Sequence, residues 1–124
     1  MDAWIFRLCQ PEEWSAFRES GAYSGNDGDR RDGFVHFSAA AQVAGTAARH
    51  YPAAGPLVLM AIRAEALSDA LRWEESRGGA RFPHLYGILP LSAVAAWRVL
   101  SDRDFSFLDD GSQPTEALGW TFIP

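Results

Sequence analysis

A chain of 124 residues is long enough for one domain with a real core and too short for two. It is 48% hydrophobic and 13% aromatic, as a folded globular protein is, and its net charge of −5 disfavours non-specific attraction to nucleic acid. All 11 basic residues are Arg, which excludes a Schiff-base lysine, a Walker-type phosphate lysine and a Ser–Lys dyad. Cys9 is the only cysteine, so no intrachain disulfide can form. Without a basic-plus-apolar leader or a run of ~20 apolar residues, a cytoplasmic setting away from membranes is expected.

Ala3–Cys9 (AWIFRLC) reads as a buried strand bounded by Gln10-Pro11. Pro11 with Glu12-Glu13 opens a helix to Ser20, with Trp14 and Phe17 on one face and Gly21 as its stop. Ala22–Asp32 (AYSGNDGDRRD) is polar and glycine-rich, hence expected as a surface loop. Its Asp27, Asp29 and Asp32 lack the spacing and closing Glu of a calcium loop. Gly33–Ser38 (GFVHFS) alternates as a strand, with Phe34, His36 and Ser38 on one side. Ser38 is then the natural N-cap of a helix Ala39–Tyr51, with Val43, Ala47 and Tyr51 as its apolar stripe.

Pro52–Pro56 is a turn, and the continuously apolar Leu57–Ile62 (LVLMAI) should be the central strand. A helical turn over Ala64–Ala70 leads to a strand Leu71–Glu74, a loop Gly78–Pro83 and a short strand His84–Tyr86. Alternation in Val94–Leu100 predicts a strand. Asp102–Pro114 should be loop-rich, and the apolar Leu118–Ile123 either adds an edge strand, docks on the core or makes a dimer contact.

The stretch Leu71–Leu91 packs Trp73, Glu74, His84 and Tyr86 into an irregular run broken by Pro83, Gly87 and Pro90, the character of a site loop. His36 reads either as a core histidine satisfied by one hydrogen bond or as an imidazole at the mouth of a pocket. Glu74 beside Trp73 is either a surface carboxylate or one tuned by a less polar neighbour. His84 and Tyr86 on one side of a strand either pack or stack on a flat ring ligand. His36 and His84 have no ligand spacing for a metal, and none is expected. A Cys9–His nucleophilic pair is weaker still, because Cys9 falls in a buried strand. Neither the dinucleotide glycine fingerprint nor a nucleophile elbow occurs.

The runs Asp32-Gly33-Phe34-Val35-His36-Phe37-Ser38, Gln42 and Thr46, Leu71-Arg72-Trp73-Glu74, Gly79, Phe82-Pro83-His84-Leu85-Tyr86-Gly87 and Leu89-Pro90-Leu91 resemble the bacterial domain-of-unknown-function family 952. The resemblance covers roughly residues 4–100 of a single domain spanning 1–124, leaving 101–124 as an extension. That family is in turn similar, distantly, to the ADP-ribosyltransferase-like superfamily, through a strand offering a His two residues before a Ser. The superfamily's first-strand His-Gly-Thr motif has no counterpart, and Arg7-Leu8 stands near that place.

The resemblance implies an α+β domain of two small mixed or antiparallel sheets, a split core and two main helices, gripping NAD or another nucleotide-like small molecule. It implies His36 and Glu74 as catalytic residues and Asp32, Ser38, Gln42, Trp73, His84 and Tyr86 as ligand-binding ones. Glu74 would bond a ribose hydroxyl or an oxocarbenium-like transition state, and Tyr86 would stack on nicotinamide. ADP-ribosyl transfer or glycohydrolysis, a non-catalytic sensor of a small ligand, and a protein-interaction domain using Trp120–Phe122 stay open. A monomer or weak homodimer is expected.

Overall fold

The computed structural model describes residues 3–53, 55–109 and 113–123. The chain folds as a mixed α+β domain, as the resemblance implies, but with three antiparallel sheets among the described residues rather than two. The largest sheet has the order β1-β4-β8-β9, with β1 at Trp4–Cys9, β4 at Leu57–Arg63, β8 at Val94–Leu100 and β9 at Thr121–Phe122. β4 lies between β1 and β8, and Leu57 to Ile62 are all buried. An apolar run with no alternation belongs in a strand covered on both faces.

Side-chain alternation along β1 divides the core. Ile5 and Cys9 face α1 (Pro11–Ser20) and join Trp14, Phe17, Met60 and Ile62. Trp4, Phe6 and Leu8 point the other way and meet Val43 and Ala47 of a second long helix, Val43–His50. Each fully buried large side chain of this kind contributes about 1.5–3 kcal/mol. α1 begins at Pro11, with Glu13 Oε1 accepting from Gln10 N at 3.1 Å, and ends on Gly21 in the left-handed region. The extension beyond residue 100 belongs to this core: Leu108 and Trp120 are buried, and Trp120 lies against Phe6. The expected apolar patch at the C terminus is therefore reduced to Phe122 and its neighbour strand, where Val99 is also exposed.

Two smaller sheets complete the domain: β2 (Ala22–Tyr23) with β7 (Leu89–Pro90), and the order β3-β6-β5, formed by Val35–His36, Arg81–Leu85 and Leu71–Glu75. Ala22–Asp32 is not a loop throughout, since Asp27–Asp32 forms a short helix, α2, leaving Val43–His50 as α3. Asn26 caps α2, accepting from Asp29 N at 3.0 Å, and the Asp29 carboxylate accepts in return from Asn26 N at 2.7 Å. β6 begins inside the expected Gly78–Pro83 loop and ends at Leu85. Pro83 is tolerated because β3 stops at His36, and only the Pro83 carbonyl is used there, accepting from Phe37 N at 2.9 Å. Ser38 does not cap the third helix. A 3₁₀ turn over Ala40–Gln42 precedes it, and the Gln42 side chain takes the Ala39 N–H.

Candidate functional site

The centre of the site is a charge buried in the first strand. Arg7 and Asp29 have side chains 6% and 2% exposed and meet in a two-pronged ion pair, Nη1 to Oδ1 at 2.9 Å and Nη2 to Oδ2 at 2.7 Å. The rest of the guanidinium is also satisfied: Nη1 donates to His36 O, Nη2 to Tyr23 OH and Nε to Leu8 O. Tyr23 OH donates onward to Glu13 Oε2 at 3.2 Å. Burial by itself would raise the Asp29 pKa. The hydrogen bonds from His36 and Arg7 outweigh it and hold the carboxyl well below the usual carboxylate range. Burial likewise works against the Arg7 charge, but Asp29 wins and the guanidinium stays charged.

Asp29 also sets the position of His36. Its Oδ1 accepts from His36 N at 3.0 Å and lies 2.6 Å from Nδ1 of the ring. On the opposite edge, Nε2 lies 3.0 Å from Asp32 Oδ2. Each ring nitrogen of His36 thus faces a carboxylate oxygen, an acceptor for the ring proton. Gly25 makes this packing possible: its φ is +100°, and a Cβ there would lie 2.4 Å from Asp29 Cβ.

Beside this network opens a cleft of about 640 Å³ between α2, β3 and α3. His36, Ser38, Asp32, Arg31, Arg49 and His84 are among the side chains on its wall. Ser38 Oγ lies 2.9 Å from Thr46 Oγ1 across the start of α3. A second cluster lies behind His84. Glu74 Oε1 is 2.9 Å from His84 Nδ1 and accepts from Tyr86 OH at 2.6 Å. The bonds from Tyr86 and His84 lower the Glu74 pKa, and the same bond to Glu74 raises that of the Tyr86 phenol. Phe34 joins the two halves: its ring stacks on His84 at 4.0 Å and lies 4.6 Å from His36 and 5.2 Å from Tyr86. His84 is 3% exposed, and its Nε2 has no protein hydrogen-bond partner among the described residues.

Thus Asp32, His36, Glu74, His84 and Tyr86 are brought together, and Ser38 faces the same cleft. Glu74 and Tyr86, however, do not line the cleft and stand behind His84, which does. Two candidates lie elsewhere. Trp73 alternates with Glu74 along β5 and packs half-buried against the core cluster. Gln42 uses both ends of its amide internally, accepting from Ala39 N and donating to Arg81 O. Neither side chain lines that cleft. Arg7, Tyr23 and Asp29 were missed as a unit. The available signal was an arginine inside an otherwise apolar strand, which demands a buried partner. Cys9 is buried and its thiol is pushed up to about 12, chiefly by burial, so it is no nucleophile. Among the described residues, no group of three His, Cys, Asp or Glu side chains has the geometry to hold a metal, and no helix is long and apolar enough to cross a membrane.

Residues 8–97 match the family described as "Protein of unknown function (DUF952)". The chain belongs to that family. The DUF952 match takes in both the Asp29–His36 network and the Glu74–Tyr86 cluster. The chain is also similar to protein CC0527 from Caulobacter crescentus: to its X-ray crystal structure at 44% identity and TM-score 0.74, covering 78% of this chain and 85% of that one. The solution NMR structure of CC0527 matches at 43% identity and TM-score 0.67, covering 80% and 84%. No curated protein matches the DUF952 chain.

Proposed function

We propose that the cleft binds a nucleotide-like small molecule, NAD or a close relative, as the distant resemblance to ADP-ribosyltransferases implies. The observation that carries this reading is the meeting of Arg31 and Arg49, the Ser38 hydroxyl and the His36 imidazole on one cleft of about 640 Å³. Guanidinium groups suit phosphates, hydroxyls suit ribose, and the volume is that of a small-molecule site. In the catalytic form of the proposal, Glu74 acts through His84 on the positive charge that develops when a glycosidic bond to ribose breaks, and Tyr86, bonded to Glu74, comes to the flat leaving group only if the ligand reaches past His84.

A second reading, a sensor that binds without turnover, is favoured by a separate observation. Both candidate catalytic groups are already engaged: His36 between Asp29 and Asp32, Glu74 between His84 and Tyr86. Both readings go with a cytoplasmic protein acting as a monomer or weak homodimer.

A thermal-shift series with NAD, ADP-ribose, nicotinamide and 2′-phosphorylated nucleotides tests them, run on wild type, Glu74→Gln and His36→Ala. A ligand at 100 times its dissociation constant adds about 2.7 kcal/mol to the folded state. Stabilisation that is lost in His36→Ala supports the site, and release of nicotinamide on incubation selects the enzyme over the sensor. Equal responses in all three proteins, or none in wild type, remove the assignment.

A further inference from the structure

The two carboxylates that hold His36 are not equivalent. Asp29 is sealed in, with its oxygens taken by Arg7, Asn26 N and both the backbone and ring nitrogens of His36. Asp32 is 38% exposed and stands on the cleft wall, at the last position of α2 before Gly33. Its Oδ2 lies 3.0 Å from His36 Nε2 and its Oδ1 3.4 Å from Arg31 Nε. An imidazole N–H and a guanidinium converging on one oxyanion make the donor set used for phosphate. Arg49 is exposed on the same cleft, with no carboxylate partner within ion-pair distance among the described residues.

We propose that Asp32 occupies the phosphate subsite of this cleft, and that a phosphate group of the ligand displaces it to take His36 Nε2–H and the Arg31 guanidinium, with Arg49 as a third donor. This deepens the nucleotide reading and rests on the same cleft. The exchange is feasible because every contact broken involves the exposed Asp32 side chain. The Asp32–Arg31 pair is solvated, and His36 keeps its orientation through Asp29 when Asp32 swings away.

The test measures binding of inorganic pyrophosphate, ADP-ribose and adenosine by calorimetry to wild type, Asp32→Asn, Asp32→Ala and Asp27→Asn. Asp27 lies on the same cleft and carries the same charge, but it pairs with Arg30 and not with His36, so it controls for bulk charge. Emptying the subsite should tighten pyrophosphate and ADP-ribose about fivefold relative to Asp27→Asn, the scale of one exposed ion pair, and leave adenosine unchanged. In wild type, pyrophosphate should also move the His36 ring resonances, while Asp27→Asn leaves them where they were. Equal tightening by Asp27→Asn overturns the proposal, as does an unchanged or weaker affinity in both Asp32 variants whose melting curves show them folded. If pyrophosphate behaves as stated but ADP-ribose binds no tighter than pyrophosphate, the subsite stands and the nucleotide reading falls.

Discussion

Breaking the Arg7–Asp29 pair from one side should be among the most damaging single changes available in this protein. Asp29→Asn keeps the shape but presents an amide N–H₂ to donors from Arg7, Asn26 and His36. Arg7→Met leaves the carboxylate 2% exposed without its main counter-charge. Either change strands a buried charge, at a cost of about 3–5 kcal/mol. That is a large share of the roughly 5–15 kcal/mol by which domains are stable, and corresponds to about 10–20 °C in melting temperature. The double replacement Arg7→Met with Asp29→Leu removes both charges and should be less damaging than the sum of the single changes. Urea unfolding followed by the fluorescence of the five tryptophans gives all four corners of the cycle. The pH dependence supplies a second readout. Asp29 titrates lower in the folded chain than its ordinary 3.8, so the unfolded chain binds its proton first as pH falls. The stabilisation is complete above the ordinary carboxylate range and is lost as pH falls through it toward the folded value. Asp29→Asn should lack that acid loss. Single variants within about 1 kcal/mol of wild type, or a double variant that costs the full sum, would refute the argument.

Three further outcomes follow from single contacts. Gly25→Ala places a Cβ 2.4 Å from Asp29 Cβ at a φ of +100°, so it should cost at least the ~1–3 kcal/mol of backbone strain, measured by the same unfolding assay. Glu74→Gln removes the carboxylate that raises the Tyr86 phenol, so ultraviolet titration should show one tyrosine returning toward its ordinary value of 10; an unmoved titration would mean that the 2.6 Å bond is not formed in solution. Trp120→Ala empties the space against Phe6 and Phe107 and should destabilise by about 3–5 kcal/mol, whereas a change under 1 kcal/mol would return the tail to the status of an appendage.

Where local rules act alone, the chain is readable. The Pro11–Ser20 helix follows from its capping residues, the Val94–Leu100 strand from alternation, and the central place of Leu57–Ile62 from an unbroken apolar run. The missed α2 has six residues, DGDRRD, and no apolar stripe. Its order comes from the Asn26–Asp29 cap and from Arg7, a partner 22 positions away. Pro83 concealed β6 for the opposite reason: a local breaker is harmless where the neighbouring strand has already ended.

Residue types along the sequence marked the side chains that carry titratable or aromatic groups: His36, Glu74, His84 and Tyr86. Only the folded chain decided which of them share a space. Asp29, one of several similar aspartates in a polar stretch, became the buried anchor because Arg7 cannot be desolvated without it. Trp73 and Gln42 stand off the cleft, turned to the core and to a helix start, because strand parity and backbone demand act on them before any ligand does.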